Sequence, residues 1–237
     1  MIFFKSLVSI LVLSFLFPSF ALAGDNYFIP LNEGNWWLYK VTYAVLDMGV
    51  VDKGVYTEKI EILKVAKYKD VTVALFSNIP GGLYREKEKA TLFVADNKDY
   101  YWTDEEVFDL VVKNDGKIKI EDLGDKTWGD FGDEPSGGKI KWLELSLPLA
   151  KNKLFGCDER DKSRGDNRYC NWVRSIKPAK QKYFPGKDEY EIAEYTLPDE
   201  SHSYYVEGAG LTYYSYSHHG SLNEQRWNLQ RYFISAK

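Results

Sequence analysis

The sequence predicts a mainly β protein: a strongly curved antiparallel sheet, an open half-barrel or barrel with at most one or two short helices, and a two-sheet sandwich as the alternative fold. Three observations carry this. Runs rich in Val, Ile, Thr, Tyr, Phe and Trp recur along the chain, separated by turn signals every dozen residues or so. A β-α alternation is absent, which removes the parallel α/β classes. Long strands also curl, and closing the sheet is a common answer to exposed edges.

The first strand is launched by Phe28-Ile29-Pro30-Leu31-Asn32-Glu33-Gly34-Asn35-Trp36-Trp37. Pro30 fixes φ and stops any helix, Gly34 permits a left-handed backbone, and aromatic and β-branched residues follow. Along this strand Trp37, Tyr39, Val41, Tyr43 and Val45 share one face, and Trp36, Leu38, Lys40, Thr42 and Ala44 share the other. A fainter copy runs from Pro148 to Phe155, with Asn152 in the place of Gly34, so two parts of one sheet are expected to begin alike. Asn is the residue after Gly that best tolerates φ > 0.

Asp47-Met48-Gly49 through Lys53-Gly54 reads as a turn and Val55 to Lys67 as a long strand. Val71 to Phe76 is apolar on both faces and belongs at the centre of the sheet. Pro80-Gly81-Gly82 breaks the chain, after which Lys89–Val94 and Tyr100–Trp102 form a meander across Asp96-Asn97-Lys98. Thr103-Asp104-Glu105-Glu106 fits a capping box ahead of Val107, Leu110 and Val111, predicting one helix of about ten residues. Val111-Val112 leaves a strand as its competitor. Residues 122–138 form a long loop dense in Gly and Asp. Strands follow at Tyr169–Ile176 and Asp188–Thr196, and a last hairpin runs Leu211–Ser217 to Gln225–Phe233 across His218-His219-Gly220-Ser221, with Gly208 and Gly210 as structural turn residues at its entry.

The segment Pro30-Leu31, Gly34, Trp37, Tyr39 together with Gly208-Ala209-Gly210-Leu211 resembles a loose group of exported bacterial β-proteins and lipoproteins, which open with Pro-Leu-x-x-Gly-x-x-Trp-x-Tyr and close with Gly-x-Gly-Leu/Val. The resemblance covers two short ends. It implies export and an all-β fold and supplies no catalytic residues.

Compartment follows from the N-terminus. Lys5 precedes an apolar run from Leu7 to Phe17, and Ala21-Leu22-Ala23 has the small-x-small pattern of a signal-peptidase site. Residues 1–23 are therefore expected to be a cleaved signal peptide and 24–237 a single β domain. The run is short for the ~20 residues that span a bilayer, so no membrane span is expected in the mature chain. No Cys follows Ala23, so lipidation is not indicated, and the expected location is periplasmic or secreted. In an oxidising compartment Cys157 and Cys170 should form a disulfide, worth roughly 3 kcal/mol for a loop of about 14 residues. The residues between them are solvated and charged, and include an Arg164-Gly165-Asp166 triplet that carries little weight.

The formal charge of −4 becomes −5 without Lys5, and it is mixed along the chain. Neither a nucleic-acid partner nor an anionic membrane is indicated. Catalytic motifs of the His-Glu-x-x-His, Gly-x-Ser-x-Gly and P-loop kinds are absent. His202, His218 and His219 are the only histidines, and adjacent His218 and His219 point to opposite faces or splay in a turn, so they cannot easily share a metal. The acidic residues Asp122, Asp125, Asp130, Asp133 and Glu134 match no cation loop and read as a solvated loop. No enzyme activity, metal or cofactor is expected.

Aromatic residues make up 16% of the chain, including 18 Tyr and 7 Trp. Most must be core, but so many hydroxyls place some at a wet rim or groove. Two function classes follow: a binding module whose concave face, lined by Trp37, Tyr39, Tyr43 and Tyr214, holds a lipid or other amphipathic ligand, or a non-catalytic envelope assembly protein with a filled core. A hydrolase ranks third. An empty or a packed concave side separates the first two.

Overall fold

A computed structural model describes residues 27–47, 49–80, 89–123, 141–157, 170–179, 184–196 and 199–235; the segment expected to be a signal peptide, most of the Asp-rich loop and the interior of the disulfide loop lie outside them. The described residues form twelve strands: β1 (Trp36–Asp47), β2 (Val50–Lys67), β3 (Val71–Phe76), β4 (Ala90–Ala95), β5 (Asp99–Asp104), β6 (Lys141–Ser146), β7 (Leu154–Phe155), β8 (Asn171–Pro178), β9 (Asp188–Tyr195), β10 (Asp199–Val206), β11 (Gly210–His218) and β12 (Asn223–Phe233). One helix, α1 (Glu106–Lys113), and one 3₁₀ turn (Ile120–Leu123) complete the described elements.

All twelve strands belong to one antiparallel sheet in the order β6-β5-β4-β3-β2-β1-β12-β11-β10-β9-β8-β7. The sheet is two six-strand meanders, β1–β6 and β7–β12, joined where β1 pairs with β12 from Trp36↔Phe233 to Val45↔Asn223. The outer strands β6 and β7 are consecutive in the chain, so the sheet curls until it nearly closes into a barrel. The curved sheet or barrel expected from sequence is the observed fold.

Alternation along each strand sends one face inward. Trp37, Tyr39 and Val41 on β1 meet Ile60 and Ile62 on β2, Phe76 on β3, Leu92 on β4, Trp102 on β5 and Trp227 and Leu229 on β12, all buried in one core. Phe28, Ile29 and Leu31 fold under the barrel and plug the end at which β1 begins. The outer face of β3 and β4 is apolar too: Val71, Val73, Leu75 and Phe93 receive Val107, Phe108 and Val111 of α1 in a second core. This explains why Val71–Phe76 reads as apolar on both faces.

The launching turn has the expected backbone, with Gly34 at φ +82°. Its fainter copy is a true structural counterpart, since Asn152 has φ +69°. In the first turn Asn35 N donates to Asn32 O (3.1 Å), Gly34 N to Ile62 O (2.9 Å), and Ile62 N to Asn35 O (2.9 Å). In the second, Lys153 N donates to Ala150 O (2.9 Å), Asn152 N to Val173 O (2.8 Å), and Val173 N to Lys153 O (2.9 Å). Each meander thus begins with one turn stitched to its own second strand.

Three expectations need correction. The turn read over 47–54 is shorter than expected, since β1 runs to Asp47 and β2 starts at Val50; Gly54 lies inside the strand, with the Tyr43 ring where a Cβ would stand. The capping box does not form: Thr103 lies inside β5 with its Oγ1 donating to Thr91 O (2.9 Å), and Glu105 at the helix start makes no side-chain cap bond. Strands β6 and β10 were not anticipated, because polar residues interrupt the alternation in both; β7, expected only as the opening that the faint copy launches, is two residues long.

Candidate functional site

The two ends of the barrel differ in chemistry. At the plugged end the opening and closing sequence segments meet: Trp37 Nε1 donates to Ala209 O (2.6 Å), Tyr39 Oη to Leu211 O (2.9 Å), and Gly208 N to Phe28 O (2.9 Å). Gly208 and Gly210 have φ of +75° and +83°, and Ile29 Cγ2 stands 3.5 Å from where a Cβ on Gly210 would be. Burial holds the Tyr39 hydroxyl far above the usual phenol range and pushes Tyr100 up to about 12, its oxygen accepting from Phe28 N (2.9 Å). These hydrogen bonds lie within the buried core.

The opposite end is a polar mouth. Tyr43 and Tyr56, with ring centroids 6.1 Å apart, stand over a shallow cleft of about 50 Å³ that Val45, Asp52, Asn223 and Gln225 also line. Such a volume suits one or two water molecules, not an acyl chain. Beside it the β1–β2 hairpin projects exposed apolar side chains: Leu46 is 46% exposed, Val50 69%, Val51 51% and Val55 63%. Register places Leu46 opposite Val51, and alternation puts Val55 on their face.

Inside the barrel, between plug and mouth, Glu144 (β6), Glu194 (β9), Tyr205 and Asp199 (β10), and Tyr214 and Tyr216 (β11) form a cluster. Tyr205 Oη donates a hydrogen bond to Glu144 Oε1. Burial raises the Glu144 carboxyl, against the pull of that bond. Burial, then the neighbouring Glu144 and Asp199, raise Glu194 to about 7. Burial and the same two glutamates hold the Tyr214 hydroxyl well up. Asp199 differs: burial acts to raise it, but Tyr216 Oη (2.7 Å) and His218 Nδ1 (2.8 Å) both bond Oδ1 and bring it below its usual value.

His202, on the outer wall, lies between Glu191 (Nδ1 to Oε1, 3.2 Å) and Glu200 (Nε2 to Oε1, 2.7 Å), with Arg174 also 3.5 Å from Glu191. His219 faces Glu200 at 3.4 Å while His218 turns inward to Asp199, so the adjacent pair does splay. Among the described residues, no group of three or more His, Cys, Asp and Glu side chains is placed to hold a metal ion.

Of the residues expected to line a ligand, Trp37, Tyr39 and Tyr214 belong to one packed core and Tyr43 stands apart at the small cleft. Trp37 and Tyr39 are core side chains at 3% and 1% exposure, Tyr43 lines the small cleft, and Tyr214 stands in the acidic cluster. Cys157 and Cys170 are disulfide-bonded, with Cα atoms 4.2 Å apart. Sequence reading missed Glu144 and Glu194. Glu194 was findable, since it shares a face with Tyr190 and Ile192. Glu144 was not, because the ladder slips by one residue there, between Tyr100↔Leu145 and Tyr101↔Leu143.

No protein-family model matches the chain, and no curated protein matches it. Two crystal structures are similar to it. One is described as a putative lipoprotein from Parabacteroides distasonis (TM-score 0.42), the other as a putative exported protein with a YmcC-like fold from Bacteroides fragilis (TM-score 0.40). Each is 11% identical, over 88% of this chain and 99% of its own. No helix among the described residues is long and apolar enough to cross a membrane.

Proposed function

We propose that this chain is an exported, non-catalytic envelope protein that works by docking, presenting the apolar tip of its β1–β2 hairpin to a partner protein. Export is supported by the signal-like N-terminus and by the disulfide. The observation that carries the docking reading is the contrast between interior and tip. The described interior is packed with fully buried Trp227, Tyr39, Tyr100 and Phe76, whereas four of the largest exposed apolar side chains gather on one hairpin. Exposed apolar side chains gathered in one place mark an interaction site.

A photo-crosslinking residue at Val51 tests this in the envelope of the source cell, with one at Lys98 on the far side as control. The docking reading expects a discrete protein adduct from Val51, none from Lys98, and loss of the adduct from a second probe at Val55 when Leu46→Glu is added. The amphipathic-ligand reading takes its place if Val51 yields only lipid adducts, or if native mass spectrometry finds a retained lipid that Tyr43→Ala releases.

A further inference from the structure

The two meanders meet twice, and the meetings are unequal. At the β1–β12 junction a ladder of ten residue pairs holds them. At the other, β7 has two residues, both paired to β8, and β6 is the opposite outer strand of the sheet. Here side chains do the joining. Asn171 Nδ2 on β8 donates to Leu143 O on β6 (2.9 Å), and Tyr205 on β10 reaches Glu144. Lys153 Nζ, just before β7, bonds the Ser146 and Pro148 carbonyl oxygens.

This bridge carries an electrostatic flaw. Asn171 is the cross-strand partner of Glu194, so Glu194 stands beside the bridging amide and near Glu144. The groups facing the pair are Asn171 from β8, Ser201, Asp199 and Tyr205 from β10, Tyr214 and Tyr216 from β11, and Tyr39 from β1 by way of Tyr205. Asp199 is already engaged by His218 and Tyr216. Among the described residues neither Glu144 nor Glu194 has a Lys or Arg partner. Two neighbouring carboxyls without a counter-ion in a confined interior repel one another once both ionise.

We propose that the β6–β7 junction is a proton-operated seam, shut while Glu144 and Glu194 are protonated and parting when both ionise. Parting would free the β6 edge while the β1–β12 ladder holds. Burial raises both carboxyls, which fixes the sign. A carboxyl whose pKa is higher folded than unfolded binds more protons folded, so stability falls as pH rises from the ordinary carboxylate range through about 7, where Glu194 titrates.

Hydrogen-exchange mass spectrometry of the oxidised protein at pH 5.5, 7 and 8.5, corrected for intrinsic rates, tests the seam. The expected result is a tenfold or greater loss of protection over 141–146 and 171–173 between pH 5.5 and 8.5, with 36–45 and 223–233 unchanged. Glu194→Gln should flatten that profile, and Glu144→Gln should do the same. If Glu144→Gln does not fold, Glu194→Gln alone decides. Seam protection independent of pH in the wild type, or an unchanged pH profile in Glu194→Gln, overturns the proposal.

Discussion

The two junctions between the meanders show how one local device can serve opposite ends. Both first strands are launched by a turn with a left-handed residue, Gly34 or Asn152, bonded to the second strand of its own meander. After Gly34 the strand runs twelve residues and pairs on both sides; after Asn152 it stops at Phe155. Where the ladder is long, backbone bonds close the sheet, and the interior beside it is free to be aromatic. Where it is short, polar side chains must take over, and the interior beside them carries Asn171, Glu144 and Glu194. A launching turn specifies that a strand begins, while the residues that follow decide how far it pairs.

The largest effect should come from the ladder junction. Trp227 is 2% exposed and packs against Tyr39 at 5.6 Å, so Trp227→Ala should destabilise by about 3–5 kcal/mol, read from urea melts. An unchanged midpoint would break the view that this junction holds the barrel. Next come the turns: Gly34→Val should lose about 1–3 kcal/mol by forcing a branched residue to φ +82°. Asn152→Gly relaxes the second turn's backbone and should move stability by only a few tenths, since Asn already tolerates φ > 0. A larger loss from Asn152→Gly than from Gly34→Val would reverse the ranking. At the seam, Asn171→Ala removes one bridging bond and should lose about 1 kcal/mol.

The seam also predicts a pH dependence. Because the raised Glu194 titrates near 7, wild-type melting should fall modestly from pH 5 to 8, and Glu194→Gln should gain on wild type at pH 8 but not at pH 4.5. Equal gains at both values would assign the effect to packing instead of charge.

Much of the architecture was legible because period-two alternation survives wherever one face meets the core: Trp37, Tyr39 and Val41 declare β1, and Val71 to Phe76 declare a strand buried on both sides. The launching turn was legible twice, from Pro30 and Gly34 and from Pro148 and Asn152. The seam was hidden for physical reasons. A bulge at Glu144 erases alternation, β7 is too short to have a period, and the partnership of Asn171 with Leu143 depends on closure of the whole sheet. Tyr43 fell beside a real cleft, while Trp37 and Tyr39 proved too deep to line one, since period two assigns a face and not a depth.

The unequal junctions are tested most directly by the order of amide exchange at a single pH of 6 under native conditions. If the β1–β12 ladder holds the meanders and side chains close the seam, amides of Lys40, Val41 and Trp227 should exchange only through global unfolding. Those of Leu143 and Leu145 should then exchange at least tenfold faster by local opening. Equal protection at both junctions, or slower exchange in β6 than in β1, would contradict the account.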